Sequence, residues 1–405
     1  MKIGVVGLGY VGIVTSAVLA NQGHHIIGVD IDQKRVDGLN CSVNPIYEPG
    51  LDELLKKNTG RLFFTTDYSF LREVDLAFIS VSTPTVNGEI YLDYVFSAAK
   101  SLSKVLRKDA VIVMKSTVLP GTSRKVREIT GIETVSNPEF LKEGTAIEDS
   151  IRPDRVVIGS TSKEAGDLVE EVWKFTNAPI LRTTPEEAEM IKYAANSFLA
   201  MKVSFINEIA NLCEKIPGCD VNNIAKGIGF DKRISPYFLR AGLGWGGSCF
   251  PKDTLAIASY ARSMGTPLRL VEAAIQVNNE RPRKAVGLLK EMMGSLKDRR
   301  ICVLGVAFKP DTDDTRESVS IKIIRLLKED GATVFAYDPK AKTDLAQMTS
   351  LDECVNMSEG VIIATEWKEF IGIEEKLKGK YVVDGRRILN PSVLGYKFRA
   401  IGLGE

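Results

Sequence analysis

The sequence predicts an α/β chain in which two doubly wound, parallel-sheet domains are joined by a central all-helical region with one long helix. Three observations lead there. Short apolar runs alternate with helical spacing through the first half, strand-like runs vanish from about 185 to 296, and the alternation returns around 299. Near-continuous apolar runs fit strands covered on both faces, with helices as right-handed crossovers between them.

The elements follow in order. Residues 2–6 (KIGVV), 25–29 (HIIGV), 76–81 (LAFISV), 110–114 (AVIVM) and 155–159 (RVVIG) are read as strands of one parallel sheet. Helical spacing lies between them, as at 11–22 and 91–107. Residues 186–216 form one long helical pattern. A second runs from Leu268 toward Leu296, and Pro282 is expected to kink or divide it. The runs at 301–306, 333–338, 360–365 and 380–385 give a second, smaller sheet. The chain is therefore divided at 1–190, 191–297 and 298–405.

Lys+Arg 53 against Asp+Glu 52 leaves a net charge of +1 over 405 residues. No global field results, which argues against nucleic acid and anionic membranes as partners. An anionic substrate must be met by local basic residues. Cys41, Cys213, Cys219, Cys249, Cys302 and Cys354 make no CxxC pair and no zinc spacing. No metal site is expected, and a reducing, cytoplasmic location fits best. The apolar first twenty residues are interrupted by glycines at 4, 7, 9 and 12, so they read as a strand and a turn, not a signal peptide. With no uninterrupted apolar run of 18 or more, no membrane span is expected.

Gly7-Leu8-Gly9-Tyr10-Val11-Gly12 follows the first strand and opens a helix. Gly7 permits the tight turn, Gly9 lets backbone approach a pyrophosphate, and Gly12 allows close helix–strand packing. The helix amino end then faces the phosphates. Asp30 ends the next strand, 18 residues beyond Gly12. Its carboxylate suits a ribose hydroxyl and repels a 2′-phosphate, favouring NAD, while Lys34 and Arg35 keep NADP as the alternative. The first domain is thus Rossmann-like.

Only two histidines exist, His24 and His25, in a loop end, so a histidine base is not expected. A lysine, a carboxylate or water held by them must serve. Lys192 and Asn196 share one helix face among apolar neighbours. A lysine there can polarise a hydroxyl or steady an oxyanion. Glu139 and Glu143 lie near a strand end, where α/β sites gather, and so does Thr117.

Cys249 sits in GGSCFPKD (246–253), with Gly244, Gly246 and Gly247 before it and Lys252 and Asp253 behind. The glycines can admit a ligand, and a lysine at 252 can lower a thiol pKa from its ordinary ~8.5. A thiol beside a nicotinamide site allows an aldehyde to be trapped and oxidised again, giving an alcohol-to-acid enzyme. The other five cysteines are assigned to packing. In the last domain Lys309 and Arg316 follow a strand end, and DGRR (384–387) adds two guanidinium forks suited to a diphosphate.

Together these motifs resemble the UDP-glucose/GDP-mannose dehydrogenase family over essentially the whole chain. The resemblance rests on GLGYVG, NPIYEPGLDELL (44–55), STPT (82–85), KSTVLPGT (115–122), NPEFLKEG (137–144), KYAANSFLAMKVSFINE (192–208), GGSCFPKD, GVAFKPDTDDTRES (305–318) and DGRR. It implies that Cys249 is the nucleophile, with Lys192, Asn196 and Asp253 serving the oxyanion and water steps. Glu139 and Glu143 would line the substrate and water side, with Phe140, Leu141 and Lys142 between them as substrate contacts. Thr117 would help hold water and NAD. Thr83, Glu143, Lys252 and Arg316 would join Asp30, Lys34 and the turn with Tyr10 and Val11 around NAD. Phe238, Leu239, Arg240, Ala241 and Gly242, with Gly246 and Lys309, would contact the nucleotide sugar. Arg387 would reach the uridine diphosphate, and Arg233 the substrate of a neighbouring subunit. One departure is Trp245, where many relatives carry Phe or Tyr.

The resemblance makes 1–190 the NAD-binding part, 191–297 a central helical part with a dimer interface, and 298–405 the UDP-binding part. Relatives acting on UDP-hexosamines commonly carry Asn-Thr-(Tyr/Phe)-Arg on the central helix, whereas this chain has Asn196-Ser197-Phe198-Leu199. The implied reaction is therefore four-electron, NAD-dependent oxidation of UDP-glucose to UDP-glucuronate through a thiohemiacetal and thioester on Cys249. Alternatives are the same chemistry on a UDP-N-acetylhexosamine or GDP-mannose, a two-electron β-hydroxyacid dehydrogenase, or a nucleotide-sugar sensor without turnover. A homodimer or higher homo-oligomer through the central helices is expected.

Overall fold

The computed structural model describes residues 1–86 and 88–404. By packing, the chain divides into Met1–Ala195 and Asn196–Glu405. The division falls within the long helix Pro185–Cys213.

The first unit is built on an eight-stranded sheet. Its order is Ile180–Thr183, Val156–Gly159, Thr134–Ser136, Val111–Met114, Leu76–Ile79, Lys2–Val6, His25–Val29, Leu62–Thr65. Lys2–Val6 pairs in parallel with Leu76–Ile79 on one side and His25–Val29 on the other. Strand order reverses there, so its carboxyl end is where a doubly wound sheet takes a ligand. Both sheet faces are covered. Ile3 and Val5 pack with Ile13, Val14 and Ala17 of the helix Tyr10–Asn21. Val6, Ala77 and Ile79 pack with Val95, Ala98, Ala99 and Leu102 of the helix Asp93–Ser103. Each of the Val, Ile and Leu side chains contributes about 1.5–3 kcal/mol on full burial, which is why these strands read as unbroken apolar runs.

Two corrections arise here. Val156–Gly159 is fully buried, but it meets Thr134–Ser136 antiparallel, through Ser136 and Gly159, rather than joining a wholly parallel sheet. Burial on both faces marks an inner strand and carries no information on its direction. The edge strands Leu62–Thr65 and Ile180–Thr183, each only partly buried, were not read from sequence.

In the second unit, Val221–Gly229, Phe250–Ser263 and Arg269–Met293 follow the long helix. Arg269–Met293 is not divided at Pro282. A six-stranded parallel sheet then runs in the order Gln347–Met348, Thr333–Tyr337, Arg300–Leu304, Gly360–Ile363, Tyr381–Asp384, Phe398–Ala400. Ile206 and Ala210 of the long helix and Ala285, Val286 and Leu289 of Arg269–Met293 share one core with Ile301, Val303, Ile362 and Val383. Helices and sheet are therefore one packing unit.

The cysteine reading also changes. Cys213 bonds Cys219, and Cys302 bonds Cys354, so these four are cross-links rather than packing thiols. Cys302 and Cys354 stand 52 residues apart, and only the topology, which sets Leu351–Met357 against Arg300–Leu304, brings them together. The cysteine pattern thus gives no support for a reducing compartment. Cys41 and Cys249 lie outside both bridges. Among the described residues, no helix is long and apolar enough to cross a membrane.

Candidate active site

The turn at the carboxyl end of Lys2–Val6 has the shape its glycines foretold. Gly7 has φ 91°, and a Cβ there would stand 2.8 Å from the Val81 nitrogen. A Cβ on Gly12 would stand 1.9 Å from the Gly7 oxygen, whereas at Gly9 nothing lies within 4 Å. Two glycines are therefore required by crowding, and the third opens the space a pyrophosphate needs. Tyr10 and Val11 begin the helix behind it. Asp30 is buried at the strand end, accepting from the Leu8 N–H at 2.6 Å and the Asp32 N–H at 3.0 Å. Arg35 pairs with it at 3.2 Å, while Lys34 is exposed. Thr83 donates to the Thr117 carbonyl at 2.8 Å, joining two of the expected residues. These residues fit a dinucleotide.

A buried ionic cluster lies in the same unit. Lys192, 3% exposed, donates to Glu139 through Oε1 at 2.9 Å and through its carbonyl at 2.7 Å. The Leu141 N–H adds a second bond to the carboxylate, at 2.6 Å. Burial opposes charge on Glu139, but Lys192, the Leu141 N–H and Lys115 outweigh it and hold the carboxyl below its usual range. Lys115 is buried too, donating to Asn137 at 3.0 Å and lying 4.5 Å above the Trp173 ring. Burial pushes its ammonium down to about 7, with Glu139 opposing and Lys192 adding to the fall. Phe140 stacks under Arg155 and 5.4 Å from the Lys192 ammonium. Lys142 pairs with Asp149 at 3.1 Å, and Glu143 is half-buried beside it.

The thiol belongs to the second unit. Cys249 is the N-cap of the helix Phe250–Ser263, with proline in the first turn. Lys252 and the fully buried Asp253 are paired on that turn. Asn196 donates to Asp253 at 2.6 Å. The face carrying Lys192 and Asn196 is buried, as its apolar neighbours suggested.

Other expected residues are more scattered. Leu239, Ala241 and Gly242 are buried, while Phe238, at φ 62°, and Arg240 are exposed; Arg240 donates to the Arg386 carbonyl at 2.8 Å. Gly246 is half-buried in the loop before the thiol. Lys309 and Arg316 lie in the loop after Arg300–Leu304, at the point where the second sheet reverses its order. Arg316 is clasped by Asp314 and Arg233 by Asp231. Arg387 is held by Asp220 at 2.9 Å and the Ile401 carbonyl at 3.1 Å, so within this chain its guanidinium is directed at protein.

Several contributors were not read from sequence. Glu48 is buried and accepts from Tyr10, Gly144 and Ala146, tying the dinucleotide turn to the segment that carries Glu143. Glu189 takes the Gly121 and Ser123 N–H groups, capping the helix Thr122–Thr130 after the Thr117 loop. Burial pushes its carboxyl up to about 7 against those bonds. Asp338 accepts from the Val306, Ala307, Lys340 and Ala341 N–H groups and from Trp367. It fills the turn that follows Arg300–Leu304. Asp ending the strand at 333–338 was the available signal for it.

Comparison with known proteins agrees with this geometry. The chain matches the UDP-glucose/GDP-mannose dehydrogenase family in its NAD binding domain at 1–177, its central domain at 186–280 and its UDP binding domain at 302–391. It is 42% identical over 429 residues to UDP-glucose 6-dehydrogenase TuaD of Bacillus subtilis, covering 99% of this chain and 93% of that one. It is 41% identical over 420 residues to UDP-glucose 6-dehydrogenase AglM of Haloferax volcanii, covering 96% and 97%. The solved UDP-glucose dehydrogenase of Pyrobaculum islandicum superposes with TM-score 0.94 at 40% identity, covering 99% and 98%. A UDP-D-ManNAc dehydrogenase of Pyrococcus horikoshii gives 0.90 at 28%, covering 99% of each. With all three domain signatures matched in order along its length, the chain belongs to the UDP-glucose/GDP-mannose dehydrogenase family.

Proposed function

We propose that this protein oxidises the C6 alcohol of UDP-glucose to the carboxylate of UDP-glucuronate, removing four electrons with NAD as acceptor. The observation that carries this is Cys249 at the amino end of a helix whose first turn holds Lys252 and Asp253, with Asp253 bonded to Asn196. The sugar is favoured by relatives named for UDP-glucose at 40–42% identity, against 28% for the UDP-D-ManNAc enzyme.

NAD, held by the Gly7–Gly12 turn, Asp30, Lys34 and Thr83, would supply the hydride acceptor, one molecule for each oxidation, with NADH exchanged for fresh NAD between them. The C6 hydroxyl gives its proton to Glu139 or to water held by it, and the Lys192 ammonium steadies the oxygen as negative charge grows. Loss of the first hydride leaves an aldehyde. The Cys249 sulfur adds to that carbon, forming a C–S bond, while the oxygen takes a proton to give a thiohemiacetal. This restores a tetrahedral carbon bearing an oxygen, from which a second hydride can leave. The helix amino end and Lys252 favour negative charge on the sulfur, and Asn196 steadies the oxygen. Hydride loss, with the hydroxyl proton passing to Glu139 or its water, gives a thioester. Water, held with Thr117, Glu143 and Asp253, adds to it, the C–S bond breaks, and the acid departs from the regenerated thiol. Phe238–Gly242, Gly246 and Lys309 are proposed to hold the nucleotide end.

We further propose a homodimer or larger assembly through the central helices, where Phe198, Phe205 and Leu212 repeat every seven residues, each roughly half exposed. Arg233, 89% exposed in its side chain, would then serve a neighbour's substrate. A cytoplasmic site of action suits a chain with an NAD binding domain, NAD being an intracellular cofactor. A panel of UDP-glucose, UDP-N-acetylhexosamines and GDP-mannose with NAD, followed at the NADH absorbance, tests the proposal. Fastest turnover on UDP-glucose is expected, and no NADH from any of them contradicts it.

A further inference from the structure

The glycine-rich loop before Cys249 has little side chain of its own to fix it, and it is held from outside. The Gly242 N–H donates to Asn207 at 2.8 Å, and its carbonyl accepts from Arg281 at 3.0 Å. Asn278 then treats Trp245 as a strand would: Oδ1 accepts its N–H at 2.8 Å, and Nδ2 donates to its carbonyl at 2.9 Å. Asn278 is buried, and a Cβ on Gly244 would stand 2.3 Å from its Oδ1, so the loop lies directly against the amide. The Trp245 indole donates to Ser204 at 3.0 Å and stands edge-on to Phe250 at 6.4 Å, the residue following the thiol.

Asparagine is an unfavourable choice for a helix interior. Asn278 nevertheless lies well inside Arg269–Met293, four residues before Pro282. Proline has no N–H for the carbonyl four residues back and its ring crowds that carbonyl, so the helix is weakest at the residue that reaches out. Two departures from good helix sequence at one point indicate a requirement beyond helix formation.

On the reading that Cys249 traps the aldehyde, we propose that Asn278 is a positioning residue for that thiol, acting through the Trp245 backbone. A misplacement of about 1 Å can slow a step by ~10²-fold. A mispositioned thiol lets the aldehyde leave before the C–S bond forms, and the first oxidation is less affected. Asn278→Ala removes both bonds, and Asn278→Asp keeps the acceptor while losing the donor.

The test counts NADH formed per UDP-glucose consumed, with hydroxylamine present to capture aldehyde, in wild type and both variants. A purely structural loss lowers the amount of active enzyme but leaves that ratio unchanged. The expected result is a ratio of two in wild type, falling toward one with captured aldehyde in whichever variant folds. A ratio of two in every folded variant overturns the proposal, as does loss of the fold in both variants by circular dichroism. A ratio of one in wild type instead contradicts the thiol mechanism itself, so the two failures are distinguishable.

Discussion

Asn196 Nδ2 lies 2.6 Å from Asp253 Oδ2, both residues are buried, and the same carboxylate also receives Lys252. The long helix is thereby fastened to the first turn of the helix that Cys249 caps. Asp253→Asn keeps the volume but removes the charge that both donors address. Loss of one partner from a buried, charge-assisted pair costs about 1–3 kcal/mol. Turnover is expected to fall by ~10- to 100-fold with KM for NAD little changed, read from steady-state kinetics.

The Lys192–Glu139 pair makes a prediction about pH. Burial alone would raise the Glu139 carboxyl, and Lys192 is the chief influence drawing it below its usual range. In Lys192→Met burial prevails, and the acid limb of kcat/KM is expected to move to higher pH, beyond the fall in rate. An acid limb that stays in place removes Glu139 from the role of base.

Two buried groups couple stability to pH with opposite sign. Glu189 moves from 4.5 to about 7 on folding, so the folded state favours its protonated form. Its contribution is full below 4.5 and is lost as pH rises to about 7, some 3 kcal/mol in all. Lys115 moves from 10.5 to about 7, so the folded state favours its neutral form and that contribution is lost as pH falls from 10.5 to about 7. Urea unfolding against pH checks both. Glu189→Gln should flatten the slope on the acid side of 7 and Lys115→Met that on the alkaline side.

The disulfides predict unequal effects. With sequence separations of 52 and 6, the chain-entropy model gives about 4 kcal/mol for Cys302–Cys354 and about 2 kcal/mol for Cys213–Cys219. Replacing each pair by alanine and comparing urea midpoints should give that ranking. Because Cys302 and Cys354 are fully buried, reductant added to the native enzyme should leave their bridge intact.

What could be read from sequence was whatever the chain writes locally. Lys2–Val6 and Arg300–Leu304 are buried on both faces and declare themselves as apolar runs, and GLGYVG carries its turn in its spacing. Leu62–Thr65 and Ile180–Thr183 sit at sheet edges, where partial exposure dilutes the pattern. Lys192 and Asn196 could be paired by helical spacing, but their partners Glu139 and Asp253 lie 53 and 57 residues away. Glu48, which binds Gly144 across 96 residues, and Asn278, which binds Trp245 across 33, have no local signature. The Cys302–Cys354 bridge was missed for the same reason: topology makes it.

The most direct measurement is the yield of NADH per molecule of UDP-glucose in wild type and in Cys249→Ser. Two per sugar in wild type, with Cys249→Ser halting at an aldehyde-level or covalent species, is the expected result. One per sugar in wild type, or full turnover to acid in Cys249→Ser, would show that the sulfur takes no part in the second oxidation.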